Sequence, residues 1–583
     1  MFDFGTLNEN QKQAVLTTDG PLLLIAGPGT GKTYTLVKRI AYLIKEKNVP
    51  VGGIMAVTFT EKAARELMTR IADEFLRQEI EGNVNDMYIG TFHSLCLRLQ
   101  KEYGASAGEK PPRLMDQFEQ TYRVAAKMDT IGHLPGFKDV IKEKDRWGKA
   151  QAVCRYVNQL HEELVDTEKL LAEKDPTLYF FGSLDRSYRY HILERQNLMD
   201  FSTLLTDTYR LLTENAAALA DLREKLRYIL VDEYQDTNFI QEQLVLLLAG
   251  ERKNICVVGD DDQGMYRFRG ATIRNILEFP SHFAPDECRQ IRIESNYRSA
   301  PEIIDFYNAW MENAEGVNLF NWNKYRFDKT IRPAPDRAKT GASVFSLWRD
   351  TADEEGAALA QTVRRMKETG AVTDYNQVVC LFRSVKSAEA QTVASAFEAA
   401  GIPVYSPRSA RFFERDEIRL MIGALLLCFP VFFSDVKAGM AITDEKLNTY
   451  YRDCVSLLKP FLAQSADLFA FLKERGAHSP PQKKRTNSLF STSFTGCWRS
   501  SRSGLFCSRK TTRMKTAPSA TSQRFRTCLR GSRRCTICIT SPEIISANLR
   551  NAFSAFISKT YMSTASANMR KKPKPRLPDA FRS

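Results

Sequence analysis

Hydrophobic residues recur through the first 300 positions in short unbroken runs, and each run ends in a polar loop followed by a helical pattern. Examples are PLLLIAG (21 to 27), GIMAVTFT (53 to 60), MYIGTFHS (87 to 94), RYILVDEYQD (227 to 236), NICVVGDDDQ (254 to 263) and QIRIESNYRS (290 to 299). A strand that is apolar on both faces needs cover on both faces. The pattern therefore predicts a parallel α/β sheet with its chemistry at the C-terminal ends of the strands. From about Gly104 to Met199 the sequence becomes charged and helix-forming, which predicts a helical insertion. A second α/β region is expected from near Ser295, with strands at SVFSLW (343 to 348) and QVVCLFRS (377 to 384). After Phe413 the pattern is helical again.

The sharpest local chemistry is AGPGTGKT, Ala26 to Thr33, between the strand PLLLIA and the helix-like TYTLVKRIAYLI. It is a phosphate-loop variant with Ala26 in place of the usual first glycine. Gly27, Pro28, Gly29, Thr30 and Gly31 form a tight turn whose N–H groups converge on phosphate oxygens at a helix N-terminus. Lys32 can reach the β and γ phosphates, and the Thr33 hydroxyl can ligate Mg²⁺. In VDEYQD, Val231 to Asp236, Asp232 at the strand end suits Mg²⁺ and Glu233 suits polarising a water for attack on the γ phosphate. An Asp-Glu pair at a strand end is more often merely solvated; a phosphate loop upstream reverses that expectation.

At these motifs, and in order from Leu7 to Arg419, the chain resembles the UvrD/Rep-like superfamily 1 DNA helicases. LNENQKQAV resembles the family's adenine-recognising motif, with Gln11 as the reader. AVTFTEKAARE, where Glu61 replaces a frequent Asn, and GTFHSLC resemble two loops that touch single-stranded DNA in the family. The resemblance implies DNA contacts at Phe59, Thr60, Thr91, Phe92 and His93. Taken alone, Phe59 and Phe92 read as core aromatics and His93 as a capping or core histidine. VGDDDQGMYRFRGA resembles the motif that couples the γ phosphate to DNA, with Gln263 as phosphate sensor and Tyr266, Phe268 and Arg269 on bases and backbone. Aromatic faces stack on any base for about 1 to 3 kcal/mol each, which suits sequence-independent binding. NYRS (296 to 299) resembles the motif in which Tyr297 stacks on adenine and Arg298 is an arginine finger.

The resemblance implies a P-loop NTPase with two RecA-like parallel-sheet domains, the second incomplete, and helical insertions. Residues 1–104 plus 200–285 are expected to form the first core domain, 105–199 the insertion, 286–412 the first part of the second core domain and 413–480 a helical segment. It further implies ATP and Mg²⁺ as cofactors, and single-stranded DNA or DNA with 3′ single-stranded tails as partner. The implied activity is ATP-driven 3′-to-5′ translocation and unwinding. Alternatives are the helicase part of an AddA/RecB-like helicase-nuclease, and an ATP- and DNA-binding remnant without activity. Strings like the family's motifs V and VI, the latter carrying a second arginine finger, are not found after Arg419. Low DNA-stimulated turnover is therefore expected.

Charge changes this picture at one place. The net charge is +14, yet residues 481–583 hold 22 Lys plus Arg against two acids, so residues 1–480 carry −6. DNA contact is thus expected from a few loops rather than from bulk charge. The tail also holds 17 Ser and five of the 12 Cys, including a CxxC at Cys535 and Cys538 without a second pair. It reads as a basic tail, a linker or, preferred here, out-of-frame translation. The dispersed Cys, an N-terminus without a basic and apolar signal region, and a longest apolar run broken by Pro430 point to the cytoplasm and away from the membrane. Translating the encoding DNA in its other frames beyond about codon 480 is expected to recover motif V and VI strings; finding neither would refute the frameshift.

Overall fold

The computed structural model of the chain describes residues 2–104, 111–266, 270–312, 322–337, 344–385, 387–405, 413, 415–428 and 445–477. They fall into two compact units, 1–346 and 347–583. In the first unit all six apolar runs become strands: β1 (Leu22–Ala26), β2 (Ile54–Thr58), β3 (Tyr88–Thr91), β6 (Tyr228–Val231), β7 (Ile255–Gly259) and β8 (Arg289–Ile293). Between them come the two-residue strands β4 (Arg113–Leu114) and β5 (Leu198–Met199), and after them β9 (Ser295–Asn296) and β10 (Arg332–Pro333). The six long strands form one parallel sheet in the order β3-β2-β6-β7-β1-β8.

Register explains why the chemistry gathers on one edge. Ile25 pairs with Gly259, and Val231 pairs with both Val57 and Val257. The loops after β1, β2, β6 and β7 therefore leave the sheet side by side. The strands' apolar residues sort by parity. Leu23, Ile25, Met55, Val57, Ile229, Val231 and Val257 lie in one buried cluster, while Leu22, Leu24, Ala26, Ile54, Ala56, Leu230 and Val258 lie in another. Helix α2 (Lys32–Lys45) brings Leu36 and Ile40 to the second cluster, and α3 (Glu61–Gln78) brings Leu67 and Ile71. The doubly covered parallel sheet read from the runs is the fold observed.

Caps fix where the helices start. Asn8 and Gln11 form a reciprocal capping box on α1 (Glu9–Leu16). Thr60 caps α3, and Thr91 with Ser94 caps α4 (Phe92–Tyr103). Each satisfies N–H groups that a helix start leaves without partners. Between α4 and β6 the chain is mainly helical, with helices at Gln117–Ala126, Arg146–Glu162, Pro176–Tyr188 and Phe201–Glu214. A buried polar network binds this segment: the Gln120 amide donates to Asn158 (2.7 Å), Tyr188 (2.9 Å) and Asp200 (3.1 Å).

The second unit departs from expectation. Its regular elements among the described residues are helices, with Ala352–Glu368 packed on Ala388–Ala399 through Ala360, Val363 and Phe397. The helices Asp416–Cys428, Glu445–Gln464 and Ala466–Ala477 meet around Leu420, Ala424, Leu458, Leu468 and Leu472. SVFSLW and QVVCLFRS were expected as strands, yet neither forms one among the described residues. Phe345, Trp348, Val379 and Leu381 are largely exposed. A strand exists only by pairing its N–H and C=O groups with a neighbour, and no neighbour for either run lies among the described residues. No helix among the described residues is long and apolar enough to cross a membrane. The basic tail, 481–583, lies outside the described residues.

Candidate functional site

Strand β1 delivers Ala26 into a turn that ends at Gly31, whose left-handed backbone (φ 82°) caps α2 without a side chain. Thr30 closes the turn from inside, its hydroxyl donating to Gly27 O at 2.7 Å. Lys32 and Thr33 then occupy the first helical turn, beside the positive end of the helix dipole. Gly29 also has a left-handed backbone (φ 69°), and a Cβ there would come within 2.8 Å of the Asn296 amide and of Arg298 Cβ. A Cβ on Gly31 would meet Gln11 Nε2 at 2.8 Å, and one on Gly27 would overlap Ile331. The phosphate loop is thus hemmed in by α1, by the NYRS segment and by the chain around Ile331.

Lys32 Nζ is 3.3 Å from Glu233 Oε2. Glu233 has an unfavourable left-handed backbone (φ 52°), and its N–H donates to Asp232 Oδ1 at 3.0 Å. Asp232 is ringed by protein and retains only partial solvent contact. Burial, then the Glu233 charge, push its pKa up to about 6 against the opposing pull of Lys32, the Glu233 N–H and the Thr33 hydroxyl. A carboxylate this reluctant to hold its charge alone fits a cation site. Thr33 and Asp232 would offer the hard oxygens that a divalent cation such as Mg²⁺ takes. From Glu233 a hydrogen-bonded path continues along the sheet edge. Gln235 Nε2 donates to Glu233 Oε2 at 2.8 Å, and Gln235 Oε1 accepts from Asp260 N at 3.0 Å. The Gln263 amide in turn donates to Asp260 Oδ2 at 2.6 Å.

The predicted nucleotide-contact residues converge from three directions. Gln11 is buried, with Nε2 donating to Thr30 O at 2.9 Å. Tyr297 N–H donates to Gly29 O at 2.9 Å, and its phenol oxygen accepts from Asn8 at 2.9 Å. Arg298 is exposed beside Gly29 and makes no ion pair among the described residues. Asn296 was not singled out from the sequence. It nonetheless ties the two segments together, its amide donating to Pro28 O at 2.7 Å while its oxygen accepts from the N–H groups of Arg298 and Ser299.

The predicted DNA loops also meet. Phe59 and Tyr266 face each other with ring centroids 4.9 Å apart and planes tilted by 34°, so one aromatic pair links the loop after β2 to the loop after β7. Thr91 donates to Glu61 at 3.0 Å, joining the loops after β2 and β3; Thr60 is exposed at the start of α3. His93 packs edge-on against Phe201 at 5.2 Å, and burial lowers its pKa while the Glu61 charge opposes. Phe92 departs from its predicted role. Only 8% exposed, it packs in the core with Leu95 and Leu99, so its ring supports the loop from beneath instead of offering a face to a base. Phe268 and Arg269 lie outside the described residues. A cavity of about 740 Å³ opens beside the β7 turn, lined in part by Gln235, Asp261, Gly264 and Trp322.

Comparison with known proteins finds two family models in succession along the chain. Residues 7–284 match the model of the UvrD/REP helicase N-terminal domain, and 291–430 that of the UvrD-like helicase C-terminal domain. Similar proteins include the ATP-dependent DNA helicase PcrA of Bacillus subtilis, 32% identical over 428 residues, covering 72% of this chain and 53% of PcrA. A probable DNA helicase II homolog of Rickettsia conorii is 34% identical over 425 residues, 71% of this chain and 59% of that protein. The helicase UvrD1 of Mycobacterium tuberculosis is 32% identical over 436 residues, covering 72% and 52%. The chain thus spans little more than half the length of the curated relatives it matches.

The close approach at Gly29 makes a specific expectation. Gly29→Ala should leave the far-ultraviolet circular dichroism spectrum unchanged while weakening a fluorescent ATP analogue on the order of tenfold, about 1.4 kcal/mol. Unchanged affinity would contradict the cradle geometry.

Proposed function

Because the chain belongs to the UvrD/Rep-like family of superfamily 1 helicases, we propose that it is an ATP-dependent DNA motor that moves 3′ to 5′ along single-stranded DNA. Its preferred duplex substrates carry 3′ single-stranded tails. One observation carries the reading: an ion pair from Lys32 to Glu233 leads on by hydrogen bonds from Glu233 to Gln235, from Gln235 to the Asp260 N–H, and from the Asp260 carboxylate to Gln263. Three residues beyond Gln263 the same loop places Tyr266 against Phe59. A nucleotide site and a base-stacking pair are therefore consecutive parts of one loop system.

In this reading Gly27 to Thr33 bind the triphosphate, Tyr297 stacks on adenine and Gln11 reads its edge. Mg²⁺, when bound, supplies charge neutralisation at the β and γ phosphates, held by Thr33 and Asp232. Lys32 leaves Glu233 for the phosphates, which frees Glu233 to polarise the attacking water. Arg298, exposed beside Gly29, stabilises the charge that develops on the γ phosphate. Gln263 exchanges Asp260 for that phosphate, and the loop carrying Tyr266 shifts with it. A base enters where Phe59 and Tyr266 now face each other, with Thr60, Thr91 and His93 beside it. Only groups whose contacts differ between nucleotide states can drive such a change. Gln263 and Lys32 have that property.

Coupling between nucleotide and DNA is tested most directly by binding. A non-hydrolysable ATP analogue with Mg²⁺ should change the affinity for a fluorescent oligonucleotide by roughly fivefold or more, and Lys32→Ala should abolish the change. DNA affinity indifferent to bound nucleotide would refute the motor and leave a binding remnant.

A further inference from the structure

The carboxylates of Asp260, Asp261 and Asp262 lie within 4.8 Å of one another at the end of β7, and their side chains are fully buried. Three charges so close and so far from water need a cation. Lys329 supplies it. It lies in the chain between the helix Pro301–Glu312 and β10, and no sequence motif marks it. Its side chain is 1% exposed, and Nζ contacts all three carboxylates: Asp260 Oδ1 at 2.6 Å, Asp262 Oδ2 at 3.1 Å, and Asp261 Oδ1. Burial opposes the ammonium charge, but the three carboxylates outweigh it and hold its pKa above the ordinary lysine value. Arg326 (2.6 Å), Tyr307 (3.1 Å) and the Trp322 indole (2.8 Å) complete the shell on Asp262, and the Phe327 N–H (2.8 Å) does so on Asp261.

Two further facts distinguish this cluster from simple charge burial. First, the carboxylate of Asp260 is divided, with Oδ1 facing Lys329 and Oδ2 accepting the Gln263 amide. Gln263 can release Asp260 without stranding a buried charge only because Lys329 stays. Second, the chain continues from Lys329 directly to the nucleotide site. Ile331, 2% exposed, sits where a Cβ on Gly27 would fall, and β10 pairs with β9, whose Asn296 holds Pro28 O. Lys329 thus stands between the sensor turn and the phosphate loop.

We propose that Lys329 is a positioning residue: it holds the Asp260–Gln263 turn in register with the phosphate loop and transmits nucleotide occupancy to that turn. This inference rests on the proposed nucleotide site. Trp322, bonded to Asp262, is a native reporter, its signal isolated as the difference between the parent chain and Trp322→Phe. ATP with Mg²⁺ should change that signal in the parent. Lys329→Met should bind ATP within about threefold of the parent yet lose most of the Trp322 response, and Lys329→Arg should regain part of it. Lys329→Met combined with Asp261→Asn, which leaves less uncompensated charge, repeats the test if the single variant does not fold. A full Trp322 response in either methionine variant overturns the inference, as does a parent signal blind to bound ATP. Failure of both methionine variants to fold overturns it too, because the role would then be structural only. A parent that binds no ATP sinks the proposed function along with it, whereas ATP binding with a Lys329-independent signal sinks this inference alone.

Discussion

Five carboxylates, those of Asp232, Glu233 and Asp260 to Asp262, emerge at one edge of a parallel sheet, and the site depends on how their charge is balanced. Parallel register puts them there, because β6 and β7 end side by side. Lys32 meets the first pair and Lys329 the second group. Neither cation belongs to β6 or β7: one opens α2, and the other arrives from beyond the helix Pro301–Glu312. The charge balance therefore draws distant stretches of chain onto the sheet edge. In the proposed motor that balance would make the edge responsive, since phosphate on Lys32 would alter the partner of Glu233 and, through Gln235, the setting of Asp260.

Much of this was legible in the sequence. Unbroken apolar runs identified the strands because both faces of a parallel sheet are covered, and AGPGTGKT and VDEYQD marked two loops whose Lys32 and Glu233 the fold brings together. Lys329, Asn296 and Ile331 were not legible as site residues. Each acts by fitting a partner far away in sequence: Lys329 to Asp260, Asn296 to Pro28 and Ile331 to Gly27. No local periodicity encodes such a fit. Phe92 erred in the opposite direction. The motif singled out its loop, but the side chain after the helix cap turns inward, and only the packing reveals it.

The chain from Val344 to Ser384 shows the limit of reading strands from hydrophobic runs. SVFSLW and QVVCLFRS have the composition of buried strands, yet the exposed Phe345, Trp348, Val379 and Leu381 have nothing to pair with among the described residues. Helices satisfy their own backbone, so the neighbouring helical expectations after Phe413 met no such obstacle. The mild acidity of residues 1–480 fits the same physical picture. Single strands would be gripped by a few oriented groups, such as Phe59 and Tyr266, rather than attracted by bulk positive charge.

The central claim is that nucleotide occupancy is felt along the sheet edge and not only in the phosphate loop. Hydrogen–deuterium exchange on the whole chain, with and without a non-hydrolysable ATP analogue and Mg²⁺, tests it directly. Peptides covering 27–33, 260–263 and 322–334 should all gain protection together. Protection confined to 27–33 would contradict the account.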